Sequence, residues 1–373
     1  MPNAADLRLS GAAIVYRLFD VGYAIDLARA LDLLAPNAPE RIRPVRGEAQ
    51  ALQIRNPPIT LLLGGEALLI DGRPHAAEVS ARVFDFGVVS VRVRVAMPER
   101  LTWDGFTRFG TSVNDHGALK AIVDQQLRLL VDRISPAIDR LTIAEVSEDY
   151  TVFRVTRAEY LNGALAQADA IGALDVAPLL LGETRPLSAE ARRELLPHRF
   201  SYCVDDVAIL TWENALVVEP GDHDTDVQYV LEFANAQLLE LRYYDAILDE
   251  ELPRLYDSIE AARRKTAVFP GRRFAKLLTR LQALVADTTE LVEQVENALK
   301  VTDDVYLARV HASAIEIFRG KAWRAGIDRK LAIIRDTYAM LNDEAQAARS
   351  ETLEIAIVVL IVAEIVMALI KGG

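Results

Sequence analysis

Val83-Phe84-Asp85-Phe86-Gly87-Val88-Val89-Ser90-Val91-Arg92-Val93-Arg94-Val95 is the stretch whose reading decides the fold. Val89, Val91, Val93 and Val95 alternate with Ser90, Arg92 and Arg94, the period of two that sends apolar side chains to one side of a strand and polar ones to the other. The alternation predicts a strand with one face on a core and one face in water. Asp85-Phe86-Gly87 ahead of it predicts a bend. Working outward, Ala12–Phe19 reads as another strand, and Gly22–Leu34 as an amphipathic helix. Further helices are expected at Ala118–Ile134 and Arg157–Ile171, and the five prolines of Pro36–Pro58 mark a loop. Leu61-Leu62-Leu63-Gly64 recurs as Leu179-Leu180-Leu181-Gly182, and Val83-Phe84-Asp85 is echoed by Tyr202-Cys203-Val204-Asp205. This suggests two similar α/β units, residues 1–120 and 121–221.

After Pro220 the pattern turns helical. Acids from Asp222 to Asp226 suit the start of a helix, which should run to Lys265 with Pro253 kinking or splitting it. Phe274, Leu278, Leu281, Val285, Thr288, Val292, Val295 and Leu299 step by four and three, a heptad seam. A shorter helix is expected at Asp304–Phe318, ended by Gly320. The last helix, from about Lys321, repeats the four-three step at Ile327, Leu331, Ile334, Tyr338 and Leu341. Residues 222–350 therefore read as a helical bundle or coiled coil, through which the chain is expected to form a homo-oligomer.

The tail differs from everything before it. Of the sixteen residues Ile355–Ile370, twelve are Ile, Val, Leu or Met, three are Ala and one is Glu364. As a helix the run is about 24 Å long, against roughly 30 Å of bilayer hydrocarbon, and its apolar gain exceeds the cost of one acid. Residues 351–373 are thus expected to be a single-pass transmembrane anchor, with 353–370 in the membrane and the bulk of the protein in the cytoplasm. A mid-helix acid is costly in lipid, so Glu364 is expected at a helix–helix contact that Ala363 and Ala368 allow to be close. The fold class is accordingly α+β: an N-terminal α/β part, then long helices, then the anchor.

The chain has 373 residues, 51% of them hydrophobic, and a formal charge of −12, which disfavours coating nucleic acid over the whole surface. Its single cysteine, Cys203, excludes an internal disulfide and reads as a small hydrophobe on a buried strand. There is no phosphate loop, dinucleotide fingerprint or nucleophile elbow. Asp205-Asp206 reads as a turn. Asp222, His223, Asp224 and Asp226 are the best metal candidates, with a solvated helix cap as the alternative. No catalytic residue and no cofactor is expected. The charge balance reverses locally: Arg263, Arg264, Lys265, Arg272, Arg273, Lys276 and Arg280 fall within eighteen residues, with no acid from Ala262 to Ala286. Such a tip suits ribosomal RNA phosphate or anionic lipid at a membrane surface.

Three stretches resemble the required-for-meiotic-nuclear-division, or sporulation-associated, family: Leu231–Ala236 through Tyr244–Asp249, Thr302-Asp303-Asp304-Val305-Tyr306, and Arg349–Glu364. The aromatic-acid-Gly-Val-Val strand at Val83–Val91 is also similar. The tryptophan usual after that strand is missing near Val91, and Trp212 is the nearest substitute in the second unit. The resemblance implies a C-terminally anchored oligomer of the inner membrane, like relatives that support organellar translation; it carries no catalytic residues. Two functions follow: a membrane-anchored oligomeric scaffold or tether, or a membrane-anchored enzyme with its site between the two α/β units.

Overall fold

The computed structural model describes residues 6–35, 40–41, 52–54, 56–183, 185–221, 225–264, 271–297, 299–301 and 305–371. In chain order the first elements are β1 (Leu7–Asp20), β2 (Ala24–Ile25), α1 (Leu27–Leu34), β3 (Glu40–Arg41), β4 (Leu52–Ile54), β5 (Ile59–Ile70), β6 (Arg73–Val83) and β7 (Val88–Ala96). Then come α2 (Trp103–Asn114), α3 (Ala118–Ile134), β8 (Ile138–Asp139), β9 (Ser147–Tyr160), α4 (Ala168–Gly172), α5 (Ala177–Leu180), α6 (Ala189–Leu195), β10 (Arg199–Phe200), β11 (Val207–Leu210) and β12 (Asn214–Val218). The chain closes with α7 (Asp226–Arg264), α8 (Gly271–Asn297), β13 (Leu299–Val301), α9 (Val305–Ile317) and α10 (Gly320–Lys371). These elements form two compact units, Met1–Tyr243 with Gln294–Lys321, and Tyr244–Glu293 with Ala322–Gly373.

The first unit is built on a nine-stranded sheet of order β10-β11-β12-β9-β1-β7-β6-β5-β3. At its centre β1 pairs antiparallel with β7 from Ala12↔Ala96 to Asp20↔Val88, and with β9 from Leu7↔Tyr160 to Phe19↔Ser147. Strands from residues 1–120 and 121–221 therefore share one sheet. The repeated leucines are not structural equivalents, since Leu61 lies on β5 and Leu179 on α5. The helix expected from Arg157 is corrected: residues up to Tyr160 finish β9. Its centre, Tyr150–Val155, is buried at every position, so the alternation that marks a half-wet strand is absent there.

On β7 the four alternating valines join Leu127, Leu130 and Val131 of α3 in the main core. The opposite face is only partly in water, with Arg92 and Arg94 half-buried. Ser90 is fully buried and faces the same way as Arg82, its register partner on β6, whose guanidinium reaches Glu232 of α7. At the bend, Gly87 has φ +94° and an added Cβ would lie 1.9 Å from the Gly22 carbonyl oxygen, so no larger residue fits. Asp26 caps α1 through the amides of Ala28 and Arg29, which starts that helix five residues later than its apolar pattern suggested. Cys203 is also corrected: it is exposed, in the turn before β11.

In the second unit the later part of α7, α8 and α10 pack together. α7 runs through Pro253 without a break. Ile327, Leu331, Ile334 and Leu341 of the expected seam are buried, as are Leu281, Thr288 and Val292 of the other. The four-three pattern is thus used for packing inside one chain. Lys330 holds Asp245 and Asp249, each at 2.6 Å; burial opposes its charge, but these two acids prevail and raise its pKa. The break between α9 and α10 lies at Arg319, with φ +52°, and Gly320 starts the next helix rather than ending the previous one. Among the described residues, no helix is long and apolar enough to cross a membrane.

Candidate functional site

The chemistry of the first unit gathers where α7 crosses the sheet. Thr225 and Gln228 start that helix with a reciprocal cap, the Thr225 hydroxyl accepting from the Gln228 amide at 3.2 Å and the Gln228 side chain accepting from the Thr225 amide at 3.0 Å. From Val227 to Leu241 every residue is buried, including Gln228, Glu232, Asn235, Gln237 and Glu240. Tyr229, Phe233, Ala236 and Glu240 follow the four-three-four step of one helix face. Phe233 meets Phe84 and Phe86 edge-on at 5.7 and 5.8 Å.

Three strands each send α7 one ionisable partner. Arg82 of β6 pairs with Glu232, donates to the Thr60 hydroxyl at 3.1 Å and stacks 4.7 Å above the Tyr229 ring. Both members of the pair are almost completely buried, so each charge depends on the other. Asp20, the last residue of β1, lies against Glu240 and accepts a hydrogen bond from the Gly22 amide at 3.2 Å. Burial raises both carboxyls, and two acids in contact cannot both ionise, so the pair holds a proton. Tyr243, one turn on, is pushed up to about 12 by burial and by these two acids. Glu148 of β9 pairs with Arg242; burial still wins and raises its carboxyl.

The third pair forms a wall of a polar cleft of about 470 Å³ at the end of β1 and β9. Four of its charged groups are engaged in pairs. Arg17 meets Asp149 at 3.3 Å and donates to the Ser147 hydroxyl at 3.3 Å. Burial raises the Asp149 carboxyl against the pull of Arg17 and Lys120. His116 accepts from the Ala118 amide at Nδ1 and donates from Nε2 to the Leu69 carbonyl at 3.0 Å, an assignment in which both ring nitrogens are used. A cleft of paired charges can recognise a polar partner by exchanging pairs. It presents no nucleophile held against a base.

The residues singled out from the sequence fall elsewhere. Asp222, His223 and Asp224 lie outside the described residues, and Asp226 begins α7. Among the described residues, no three metal-ligating side chains gather. Asp206 is a turn former, accepting from the Tyr202 and Cys203 amides at 2.6 and 3.0 Å. The side chains of Arg263, Arg264, Lys265, Arg272, Arg273 and Lys276 lie outside those described, while Arg280 pairs with Glu251 at 2.6 Å. On α10, Ala363 and Glu364 are exposed and the Ala368 side chain lies outside those described. Eleven apolar side chains from Leu353 to Met367 are each 47–68% exposed. Sequence reasoning missed Asp20 and Glu240, which stand 220 positions apart. The one local signal was an acid set among Leu238, Leu239 and Leu241 on an otherwise buried helix.

A family model described as the N-terminal domain of uncharacterized protein MJ0711 matches residues 10–225, more than half of the chain. The curated protein of that name, from Methanocaldococcus jannaschii, is 26% identical over 193 residues, 52% of this chain and 58% of the relative. The chain therefore matches less than two thirds of that relative's length. No solved structure matches.

Proposed function

We propose that this chain, which belongs to the MJ0711 N-terminal domain family, is a membrane-anchored oligomeric scaffold: an α/β unit that carries a polar docking cleft, a helical unit, and an apolar tail in the inner membrane. One observation carries the reading. The eleven exposed apolar side chains between Leu353 and Met367 occupy all sides of α10, and a helix that is hydrophobic all round is buried in something. The sequence continues this run through Ala368-Leu369-Ile370, making eighteen residues from Leu353, or about 27 Å of helix. Lipid covers such a surface without needing a shaped partner. The seams of the second unit are already occupied within one chain, so self-association is assigned to the tail, with Ala363, Glu364 and Ala368 at the contact. The cluster Arg263–Arg280 would lie against anionic headgroups on the cytoplasmic side. The resemblance of Leu231–Ala236 and of the tail to the meiotic-nuclear-division family agrees with this arrangement. In the cleft, the paired state of Arg17, Asp149, Glu148 and Arg242 favours docking over catalysis.

Alkaline carbonate extraction of the full-length protein tests the anchor: it should remain with the membranes. Release into the soluble fraction would refute the reading. Cysteine at 364 should crosslink between subunits more efficiently than cysteine at 362 or 366, and the opposite order would place the contact elsewhere.

A further inference from the structure

A second cavity in the first unit, of about 630 Å³, lies between the α4–α6 segment and β11. Its walls are apolar, with Leu174, Val176, Leu187, Leu196 and Ile209 among them, and Val176 and Ile209 belong to the main core. The charged residues that line it are Arg192, Arg193 and Arg199; among the described residues no acid lines it. In a chain of net charge −12, three guanidiniums gathered on an apolar cavity are a local reversal of sign. All three are held in place, Arg193 by donating from Nε to the Ala189 carbonyl at 3.1 Å. Arg199 donates to the Gly172 carbonyl at 2.8 Å, and a Cβ at Gly172 would stand 1.9 Å from its Nη2, so the small residue makes room for the guanidinium. Arg192 is drawn by Asp175 at 3.2 Å, and that residue's carbonyl in turn accepts from the Trp103 indole at 3.1 Å. The Nε of Arg192 is buried without a hydrogen-bond partner among the described residues.

We infer that this cavity binds a small anionic amphiphile: an alkyl chain on the apolar walls and one acidic head, carboxylate or phosphate, among the three arginines. The volume is that of a small-molecule site, which is mostly apolar with a few placed polar groups. Guanidinium is the group that holds carboxylate and phosphate through paired N–H donors. A free inorganic anion would leave the apolar walls uncovered, and an uncharged alkane would make no use of the guanidiniums. The inference stands on the first unit alone and is independent of the tail.

The test is calorimetry on the full chain held in a non-ionic amphipol, with ligands below their micelle concentrations. Decanoate and decyl phosphate should bind, and whichever binds more tightly identifies the natural head. Decyltrimethylammonium, decanol and inorganic phosphate should bind at least tenfold more weakly. Arg192→Gln with Arg199→Gln should weaken the acid-headed ligands at least tenfold. Leu187→Glu, which sets an acid on the wall and leaves the arginines in place, should abolish binding and decides the matter where the double variant does not fold. Equal binding of decanol or of the cationic amphiphile, equal binding of inorganic phosphate, or unchanged affinity in Leu187→Glu would each overturn the inference.

Discussion

The first half of α7 and the end of α10 invert each other. Val227–Leu241 is buried at every position although it carries Gln228, Glu232, Asn235, Gln237 and Glu240, whereas the described side chains of Leu353–Met367 are exposed although nearly all are apolar. The difference shows that what surrounds a helix in the fold, and not its composition, settles its burial. The polar segment lies against a sheet whose strands offer a matched partner at each charged position: Arg82 for Glu232, Asp20 for Glu240, Glu148 for Arg242. The apolar segment has no such counterpart within its own unit among the described residues.

Removing the exposed apolar helix should change where the protein is and leave its fold alone. A chain cut after Arg349 is expected to move completely from the membrane pellet to the soluble fraction, with the circular dichroism of the α/β unit retained. Attacking the polar helix should do the reverse. Arg82→Met leaves Glu232 buried without its countercharge and should cost about 3–5 kcal/mol in urea unfolding, with most of the loss recovered in Arg82→Met with Glu232→Leu.

The proton on the Asp20–Glu240 pair gives a smaller effect with a definite sign. Burial raises the Asp20 carboxyl from 3.8 to about 7 in the folded protein. Its contribution to stability is complete below about pH 4 and is lost as the pH rises through about 7. Asp20→Asn should remove this decline, on the order of a few kcal/mol at most for a coupled pair. His311 tilts the profile the other way, since burial lowers its imidazole to about 4 and acid below its ordinary 6.5 then favours unfolding. Urea midpoints between pH 4 and 8 for both proteins check this. The smallest expected change sharpens the membrane side: neutralising Arg273 alone should weaken binding to anionic vesicles by about 1 kcal/mol, roughly fivefold, and the difference should vanish in high salt.

Much of the architecture was legible locally. β7 and α3 were read from their periods, and the helical second half from its four-three steps. The errors share one cause. Ser90 was read as part of a wet face because nothing in the local sequence says that Arg82 beside it will reach a helix some 140 positions later. The end of β9, Arg157–Tyr160, was read as helix because its local pattern does not show the pairing with β1 that keeps it extended. The Asp20–Glu240 pair was invisible for the same reason: β1 and α7 meet only once the sheet has formed. The charged wall of the cleft comes from four separated stretches, around Arg17, Lys120, Asp149 and Arg242, none of them a motif alone.

The sequence by itself determined the local terms: the periods that mark most strands and helices, the helix start among Asp222–Asp226, and the nearly continuous apolar run of Ile355–Ile370. These depend on contacts a few residues apart and on the solvent, so periodicity and side-chain chemistry suffice. Only the tertiary structure decided that residues 7–218 build one sheet, which polar groups lose water, and which acids therefore keep their protons. Those outcomes depend on partners distant in the chain, and the energy of a charge is set by the medium that the whole fold places around it.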